Sequence, residues 1–433
     1  MFILLALLVF GAMSMTVHAQ GNSYYVARKG NNNNPGTEAR PFKTIARGLQ
    51  ALQPGDTLYN MKGTYKEEMR NNIPSGESWS RPVTVRAYPG HRVIIKPKRG
   101  AHRPISFTGN MHHIIIEGLI LDATNCLYEV IKIGGVDDPN QPSPHHIRII
   151  NNEIRNAGKR VKPRGQYKYF TAGIFTTGNA PGIEYIGNRI HHNGVTDYDH
   201  GIYHRSSHGL IEGNVIYNNK GSGIKVGCGA EAVNNIVRNN RVFDNNTAKG
   251  ARGKKKQGRG IGVYSGSGTL VYNNVVWGAH HSGIDVTYGG NNARVFNNTV
   301  SINRGWGIIV GLGQGDQPTS ANTIVRNNIV YQQRADKAAI HDFRGINTII
   351  ENNLTFGRNT DVSRSSGSSA TIRNNLVGVN PQFLNLGSNN FLLASNSPAI
   401  DAGIALSEVP NDYNGVPRPQ GRGHDIGAFE YRG

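Results

Sequence analysis

The chain has little cysteine, few aromatic side chains and a shortage of acidic residues, and each deficit excludes a class of protein. Two cysteines in 433 residues exclude a small scaffold held together by disulfides. Hydrophobic residues make up 37% and aromatic residues 8%, which is low for several compact globules but ordinary for one elongated solenoid rich in Asn and Gly. With 28 acidic residues against 47 Lys and Arg, the formal net charge is +19. We therefore expect a polyanionic partner, either an acidic polysaccharide or nucleic acid.

Long apolar runs are confined to the start of the chain. Residues 1–19 are apolar and end in Val17-His18-Ala19, with small residues where a signal peptidase would cleave, so we interpret them as a signal peptide. No Lys or Arg precedes the apolar run, which departs from the usual pattern. Since no later segment is long and apolar enough to span a bilayer, we expect a soluble, monomeric protein that is secreted, without a membrane anchor, and begins near Gln20.

A short phrase, Asn followed two residues later in most copies by Ile or Val, recurs at intervals of about 22 to 36 residues. The intervals are filled with Val, Ile, Thr, Tyr, Gly and Asn, and their alternation predicts short strands joined by turns. Where the aliphatic residue points inward, the Asn shares its face, and stacked amides can hydrogen-bond from coil to coil. The sequence predicts an all-β, single-stranded right-handed parallel β-helix of roughly a dozen coils, about 55 Å long. The phrases begin at Asn152, Asn188, Asn214, Asn240, Asn274, Asn298, Asn328, Asn353 and Asn375.

An open parallel stack needs a cover at its ends. Ile45, Leu49 and Leu52 share one face of a short amphipathic stretch, which we expect to form a helix that caps the first coil. We treat 20–433 as one domain: 20–65 holds the cap and first strands, 66–385 the coils, and 386–433 a closing segment. Cys126 and Cys228 fall about three coils apart, roughly 14 Å, which is beyond the reach of a disulfide. We expect free thiols.

Short motifs frame the mature chain at both ends. They are Tyr24-Tyr25-Val26-Ala27, Gly30, Asn34-Pro35-Gly36-Thr37, Pro41-Phe42-Lys43-Thr44-Ile45 and Pro54-Gly55-Asp56-Thr57, then Asn396-Ser397-Pro398-Ala399-Ile400-Asp401-Ala402-Gly403, Arg418-Pro419 and Asp425-Ile426-Gly427-Ala428-Phe429-Glu430-Tyr431. The first group resembles the N-terminal signature of secreted β-helix polysaccharide lyases of the pectate-lyase-like and alginate or chondroitin lyase families. The second resembles the closing segment of bacterial exported β-helix proteins. The resemblance implies this fold and export, but many chemistries share the frame.

A second phrase, Gly-Ile or a relative, aligns one strand over successive coils. Its isoleucines should point inward, so the residues after them should form an outward column that faces solvent. Aromatic, basic and acidic side chains interleaved on such a face suit a sugar-binding groove. The isoleucines are Ile174, Ile202, Ile224, Ile261, Ile284, Ile308 and Ile340; the outward column is Phe175, Tyr203, Lys225, Gly262, Asp285, Ile309 and His341; two residues further on lie Thr177, Arg205, Gly227, Tyr264, Thr287, Gly311 and Phe343.

Two basic runs lie in the widest insertions, on either side of the same central coils. Each could be a solvated loop that only aids solubility, but their shared position favours a role in binding. We predict substrate contacts from the loops and from the outward columns. From the loops these are Arg164, Lys168, Lys254 and Arg259, and from the columns Tyr264, Asp285 and His341.

Residues 197–208 combine three histidines, two tyrosines, two aspartates and an arginine. Elimination at a uronate requires a cation for the carboxylate, a base for the C5 proton and an acid for the departing oxygen. Arg205 or Lys225 would supply the cation, His200 or His204 the base, and Tyr203 the acid, or the base if deprotonated. Strict alternation, however, places His204 in the interior, where it could merely extend a polar ladder.

Tyr198-Asp199-His200 is similar to the Asp-Pro-His active-site segment of alginate C5-epimerases, which share this fold, but it lacks the proline. Pectate-lyase-like enzymes hold Ca²⁺ with clustered carboxylates. Asp285 is the only acid on the aligned outward column, so the sequence favours direct neutralisation by Arg or Lys over the alternative of a bound Ca²⁺, and we expect no other cofactor.

The sequence thus predicts a secreted lyase that cleaves an acidic polysaccharide, such as alginate or pectate, by β-elimination. A glycoside hydrolase would need a carboxylate pair, for which Asp199 and Asp285 are the obvious partners. A C5-epimerase, or a non-catalytic carbohydrate-binding or adhesin protein, could use the same groove. Export and the lack of a recognised nucleic-acid module count against nucleic-acid binding.

Overall fold

The computed structural model describes residues 21–135, 142–159, 171–229, 231–246, 258–313 and 318–433. The predicted signal peptide at 1–19 and the predicted contacts Arg164, Lys168 and Lys254 lie outside these residues. Within the described ranges, no helix is long and apolar enough to cross a bilayer.

Three parallel sheets run the length of the molecule, and successive coils add strands in the order sheet 1, sheet 2, sheet 3. This arrangement confirms the predicted right-handed parallel β-helix. Within the described ranges, sheet 1 has thirteen strands: β1 Ser23–Val26, β2 Thr57–Asn60, β5 Val83–Ala87, β8 His112–Glu117, β11 His145–Ile150, β14 Glu184–Ile186, β17 Leu210–Glu212, β20 Ile236–Arg238, β23 Leu270–Tyr272, β26 Arg294–Phe296, β29 Ile324–Arg326, β32 Ile349–Glu351 and β35 Thr371–Arg373.

The other two sheets are of similar length. In the same described ranges sheet 2 has twelve strands: β3 Gly63–Tyr65, β6 Val93–Ile95, β9 Ile120–Asp122, β12 Glu153–Arg155, β15 Arg189–His191, β18 Val215–Tyr217, β21 Arg241–Phe243, β24 Val275–Trp277, β27 Thr299–Asn303, β30 Ile329–Gln332, β33 Leu354–Gly357 and β36 Leu376–Val377. Sheet 3 there has eleven: β4 Met69–Arg70, β7 Ile105–Phe107, β10 Ile131–Ile133, β13 Ile174–Thr176, β16 Ile202–His204, β19 Ile224–Gly227, β22 Ile261–Tyr264, β25 Ser282–Thr287, β28 Trp306–Val310, β31 Ile340–Asp342 and β34 Val362–Arg364.

The cap helix α1 spans Ile45–Leu49, and the Thr44 hydroxyl accepts a hydrogen bond from the Arg47 amide at its N-terminus. Ile45, Leu49 and the following Leu52 are buried in the core at the first coil, as the amphipathic pattern predicted. At the other end, β37 Phe383–Asn385 and β38 Asn390–Leu393 form an antiparallel pair.

The predicted asparagine ladder lies at the corner between sheets 1 and 2. Asn240 is typical: its Nδ2 and its backbone N–H donate to Asn274 Oδ1 at 2.9 and 3.0 Å, and it is fully buried. Asn239, the residue before it, has φ of +56°, a left-handed conformation that Asn tolerates well. Amide-to-amide bonds link Asn152, Asn188, Asn214, Asn240, Asn274, Asn298, Asn328, Asn353 and Asn375 in series.

A second, unpredicted ladder lies at the corner between sheets 2 and 3. Asn193 Nδ2 donates to Asn219 Oδ1 at 3.0 Å, and Asn219 Nδ2 donates to Asn245 Oδ1 at 2.9 Å. Each Asn follows a central sheet 2 residue by three positions, an offset that the sequence shows. The ladder covers only three coils, because Ala157 and Ala279 occupy the equivalent places on either side.

The Gly-Ile phrase has a packing reason. A Cβ on Gly201 would lie 2.6 Å from the Gly223 carbonyl oxygen and 2.6 Å from Ile216 Cγ2, so only glycine lets sheet 3 approach the core so closely. The predicted isoleucine column is confirmed, since Ile174, Ile202, Ile224, Ile261, Ile284, Ile308 and Ile340 pair in register.

The closing segment folds back over the outside of the corner between sheets 1 and 2. Asn273, Asn297 and Asn327 donate side-chain hydrogen bonds to backbone carbonyls of residues 404–427. Both cysteines are free thiols, as expected from their spacing.

Candidate functional site

The predicted outward column of sheet 3 is present in perfect register, from Phe175 through Tyr203, Lys225, Gly262, Asp285 and Ile309 to His341. The expectation that it faces solvent is wrong for most of its length. Asp285 and Ile309 are fully buried, and Tyr203 is only 9% exposed. Long side chains from the strand ends and neighbouring coils pack over this face, which alternation within a strand cannot foresee.

Aromatic rings and cations alternate along the column. Phe175 stacks on Tyr203 with ring centroids 5.1 Å apart, and Lys132 Nζ lies 3.7 Å from the Phe175 centroid. Lys225 Nζ lies 4.8 Å from the ring centroid of Tyr203 and 4.9 Å from that of Tyr264. Lys225 therefore sits between two tyrosines as a half-buried cation, stabilised by the negative faces of both rings.

Asp285 is the centre of a buried polar cluster. Arg259 Nε donates to its Oδ2 at 2.6 Å, while the Tyr264 and Ser282 hydroxyls each lie 3.4 Å from the same oxygen. His281 Nδ1 is 3.8 Å away. Among the described residues, Asp285 Oδ1 is buried without a hydrogen-bond partner, so this carboxylate keeps an open acceptor.

The tyrosine and arginine of this cluster have fixed protonation states. Burial and the Asp285 carboxylate raise the pKa of Tyr264 well above its usual value, so Tyr264 is a hydrogen-bond donor. Burial alone would lower the pKa of Arg259, but Tyr264 and Asp285 outweigh it and raise the pKa. Arg259 therefore stays charged, and the Asp285 carboxylate largely neutralises its charge.

His200 lies beside Tyr203, with ring centroids 5.2 Å apart and planes nearly perpendicular. Its Nδ1 accepts a hydrogen bond from the Ser222 backbone N–H at 3.0 Å, so the neutral ring carries its proton on Nε2. Burial, with Lys225 and Arg259 nearby, lowers the pKa of His200 well below 6.5. His200 is thus a neutral donor, and the geometry does not support its assignment as the base.

His204 lies in the core. Its Nδ1 is 3.1 Å from the Tyr185 hydroxyl and its Nε2 is 3.1 Å from Asn235 Oδ1. Burial lowers the pKa of His204 to about 4. The prediction that alternation turns this ring inward is correct, and the alternative role as a base has no structural support, because the fully buried ring cannot reach a polymer.

Arg205 and His341 lie apart from one another. Arg205 directly follows β16, in the same coil as Tyr203, and is half-buried. His341 lies four coil steps beyond Lys225, roughly 19 Å along the axis. There His341 packs on Trp306 and Phe343 and hydrogen-bonds to two serines. Of the predicted residues, the fold brings together His200, Tyr203, Lys225, Arg259, Tyr264 and Asp285.

The carboxylate pair proposed for a hydrolase is not assembled. Asp199 Oδ1 accepts from the Thr171 amide at 2.7 Å, and Oδ2 accepts from the amides of Val195 and Thr196 at 2.9 and 2.8 Å. Only 2% of Asp199 is exposed. Asp199 therefore holds two loop segments together. Within the described ranges, no group of three or more His, Cys, Asp or Glu residues is arranged to hold a metal ion.

Sequence reasoning missed three contributors to this face. Lys132 pairs with Phe175 in the column, but Val130-Ile131 lacks the glycine that precedes the isoleucine in the coils from Ile174 to Ile308. His281 and Ser282 directly precede Gly283-Ile284. Their fixed position relative to the Gly-Ile phrase could have identified them from the sequence.

Comparison with known proteins agrees with the architecture. The structure is similar to that of the pectate lyase Pel9A, with a TM-score of 0.61 and 17% identity over 96% of this chain and 97% of that one. The complex structure of XylC with xylose is similar with a TM-score of 0.58 and 13% identity, over 94% of this chain and 98% of that one. The A-module of the mannuronan C-5 epimerase AlgE4 from Azotobacter vinelandii is similar with a TM-score of 0.51 and 14% identity, over 74% of this chain and 86% of that one. At these identities the similarity shows the fold.

Sequence matches cover shorter stretches. Residues 28–76 match a family described as a protein of unknown function, DUF1565. The uncharacterized protein YwoF from Bacillus subtilis (strain 168) is 27% identical over 151 residues, which is 34% of this chain and 31% of that relative. The match therefore spans about a third of that relative's length. The model described as right handed beta helix region matches residues 123–276 and 172–354, together more than half of the chain, so the chain belongs to the right-handed β-helix family.

Proposed function

We propose that this protein is a secreted enzyme that cleaves a uronate-containing polysaccharide by β-elimination on the outer face of sheet 3. The observation that carries the proposal is the position of Lys225 between Tyr203 and Tyr264. Among the described residues, no carboxylate lies within ion-pair distance of Lys225. Its charge is therefore available for a substrate carboxylate.

Lys225 would pair with the carboxylate at C5 and make the adjacent C–H more acidic. Arg205, which follows β16 in the neighbouring coil, would be a second cation. Arg259 is already paired with Asp285 at 2.6 Å, so its role is to hold Asp285 and Tyr264 in place. These two roles explain why Arg259 forms an ion pair with Asp285, whereas Lys225 forms none with a described carboxylate.

Tyr203 is the candidate for proton transfer. Lys225 Nζ lies 4.8 Å from its ring centroid, and the His200 ring lies 5.2 Å away. As a phenolate, Tyr203 would remove the C5 proton, the C4–O bond would break and a C4=C5 double bond would form. The same phenol would then return the proton to the departing oxygen, so no net proton is consumed. His200, a neutral donor beside Tyr203, would orient the phenol.

The similar structures support a polyuronate substrate. Pel9A is named a pectate lyase and AlgE4 a mannuronan C-5 epimerase, and pectate and mannuronan are both polyuronates. An epimerase shares the proton removal but leaves the C4–O bond intact, so it forms no unsaturated product. A binding protein would retain affinity and form no product at all.

The test is ultraviolet absorbance over time on alginate, pectate, glucuronan and glycosaminoglycans, with and without a chelator. We expect a rise on one polyuronate, from conjugated unsaturated ends, that persists in chelator. Lys225→Gln should lower kcat/KM at least about a hundredfold, and so should Tyr203→Phe. Arg422→Gln, an exposed cation of the closing segment, serves as the control.

Two outcomes would overturn the proposal. The absence of a rise on every polyuronate would exclude elimination, and reducing-end release would then test for a hydrolase. Full turnover by Lys225→Gln or Tyr203→Phe would remove that residue from the scheme.

A further inference from the structure

Two cavities open on one corner of the helix, where the chain turns from sheet 2 to sheet 3. The first, of about 300 Å³, is lined by Thr64, Lys66, Pro97 and Asn125 together with Lys96, Lys98 and Arg99. The second, of about 550 Å³, is lined by Gly158, Lys159, His192, Gly194, Val195, Asn218 and Lys220. Apart from Thr64, which lies in β3, these residues follow β3, β6, β9, β12, β15 and β18, which are consecutive neighbours in sheet 2. The cavities therefore form one row over six coils, roughly 24 Å from end to end.

The row is strongly cationic. The first cavity carries Lys66, Lys96, Lys98 and Arg99, of which only Lys96 has an ion-pair partner among the described residues, Asp122 at 3.9 Å. Asp122 is already paired with Arg155 Nε at 3.3 Å, so it cannot neutralise the excess positive charge of the cavity.

The acids next in sequence to Lys66 also leave this charge unmatched. Glu67 accepts from the amides of Ile45 and Ala46 at the start of α1. Glu68 accepts from the Arg103 amide.

The second cavity continues the row to the candidate site. It carries Lys159, His192 and Lys220, and Lys220 lies in the turn between β18 and β19, the strand that holds Lys225. A polyanion that places one carboxylate on Lys225 can therefore extend along the same corner, over the second cavity and then the first.

We propose that this corner, lined by Lys66, Lys96, Lys98, Arg99, Lys159 and Lys220, is a binding track for the non-reacting part of an acidic polysaccharide, extending from the Lys225 site toward the N-terminal end of the helix. The proposal rests on the proposed function for its choice of substrate. The coil rise of about 4.8 Å is close to the length of one sugar unit, so a chain lying along the axis places its carboxylates at the spacing of the row. The track makes long chains bind more tightly than short ones.

The test measures binding, so that it does not depend on turnover. The full chain carrying Tyr203→Phe would be titrated with size-fractionated oligomers of polygalacturonate and polymannuronate, short and long, at two salt concentrations. We expect long oligomers to bind more tightly. Adding Lys98→Gln and Arg99→Gln, both exposed, should weaken long-oligomer binding about fivefold and flatten its salt dependence, while short oligomers bind as before.

The matched control replaces Arg422 and Arg432, two exposed cations of the closing segment, and should change neither affinity. Equal weakening by the control pair would show a general effect of net charge and overturn the track. Unchanged long-oligomer binding in the Lys98 and Arg99 variant would also overturn it. DNA or dextran sulfate that binds as tightly as an oligouronate of equal charge would overturn the choice of partner. Failure of elimination alone leaves these binding results standing and bears only on the proposed function.

Discussion

Two rows of side chains run along the axis of this molecule and follow opposite rules. The inward row at the corner of sheets 1 and 2 repeats asparagine on nine coils, and each amide bonds to the next. The outward row on sheet 3 changes residue at every coil from Phe175 to His341. Repetition suits a row whose members bind copies of themselves. Variation is possible on the outward row because each residue there packs against different neighbours, and Lys225 is a half-buried cation of that row.

The largest effect should come from breaking the inward row at its centre. Asn240→Ala would leave the Ile211 carbonyl without its side-chain donor and Asn274 Oδ1 without one of its two, and would also remove the acceptor of the Asn214 amide groups. Several buried polar groups would lose their partners, so we expect a loss of about 4 kcal/mol in the free energy of unfolding. Denaturant unfolding followed by far-ultraviolet circular dichroism would measure it.

The end of the same row provides the control. Asn375 has one ladder neighbour, Asn353, and is half-buried, so Asn375→Ala should cost only about 1 kcal/mol. Equal losses at Asn240 and Asn375 would show that the ladder is not what stabilises the stack.

The sequence was sufficient to predict both rows, because coil interval and strand alternation together determine which residue faces in and which residue stacks on which. It was not sufficient to predict exposure. Asp285 is buried because Arg259, Tyr264 and Ser282 converge on it, and such convergence depends on how long side chains pack between coils.

The states of the two candidate histidines were equally beyond the sequence. His200 is neutral with its proton on Nε2 because the Ser222 amide, from the next coil, occupies Nδ1. His204 could be placed inward from alternation alone, but its partners Tyr185 and Asn235 come from other strands and turns. A position in the row follows from the period, whereas a protonation state follows from contacts across coils.

An intermediate effect should come from pH, through His204. Its pKa is about 4 in the folded protein and about 6.5 in the unfolded chain, so its share of stability is complete above pH 6.5. That share is lost as the pH falls toward 4, because the unfolded state then binds the proton more readily. Between about pH 7.5 and about pH 5, we expect this group alone to cost about 2 kcal/mol.

His204→Gln keeps a polar side chain that does not titrate, so the variant should lose less stability than the wild type over the same pH range. Unfolding curves at both pH values, for both proteins, provide the comparison. Identical pH dependence in the two proteins would mean that His204 is not the group that responds.

The smallest effect on stability should come from the outward row, at the residue on which the proposed reaction depends. Lys225→Gln removes two cation–ring contacts, at 4.8 and 4.9 Å, from a half-buried position, so we expect a loss of at most about 1 kcal/mol. Arg86→Gln, which breaks an outward ion pair with Glu117 on sheet 1, should cost at most about 0.5 kcal/mol and leave turnover intact. A loss of stability at Lys225 as large as that at Asn240 would make Lys225 a structural residue. The loss of activity in its variant would then say nothing about chemistry, because a stack disturbed at the Tyr203 and Tyr264 coils would lose its activity for that reason alone.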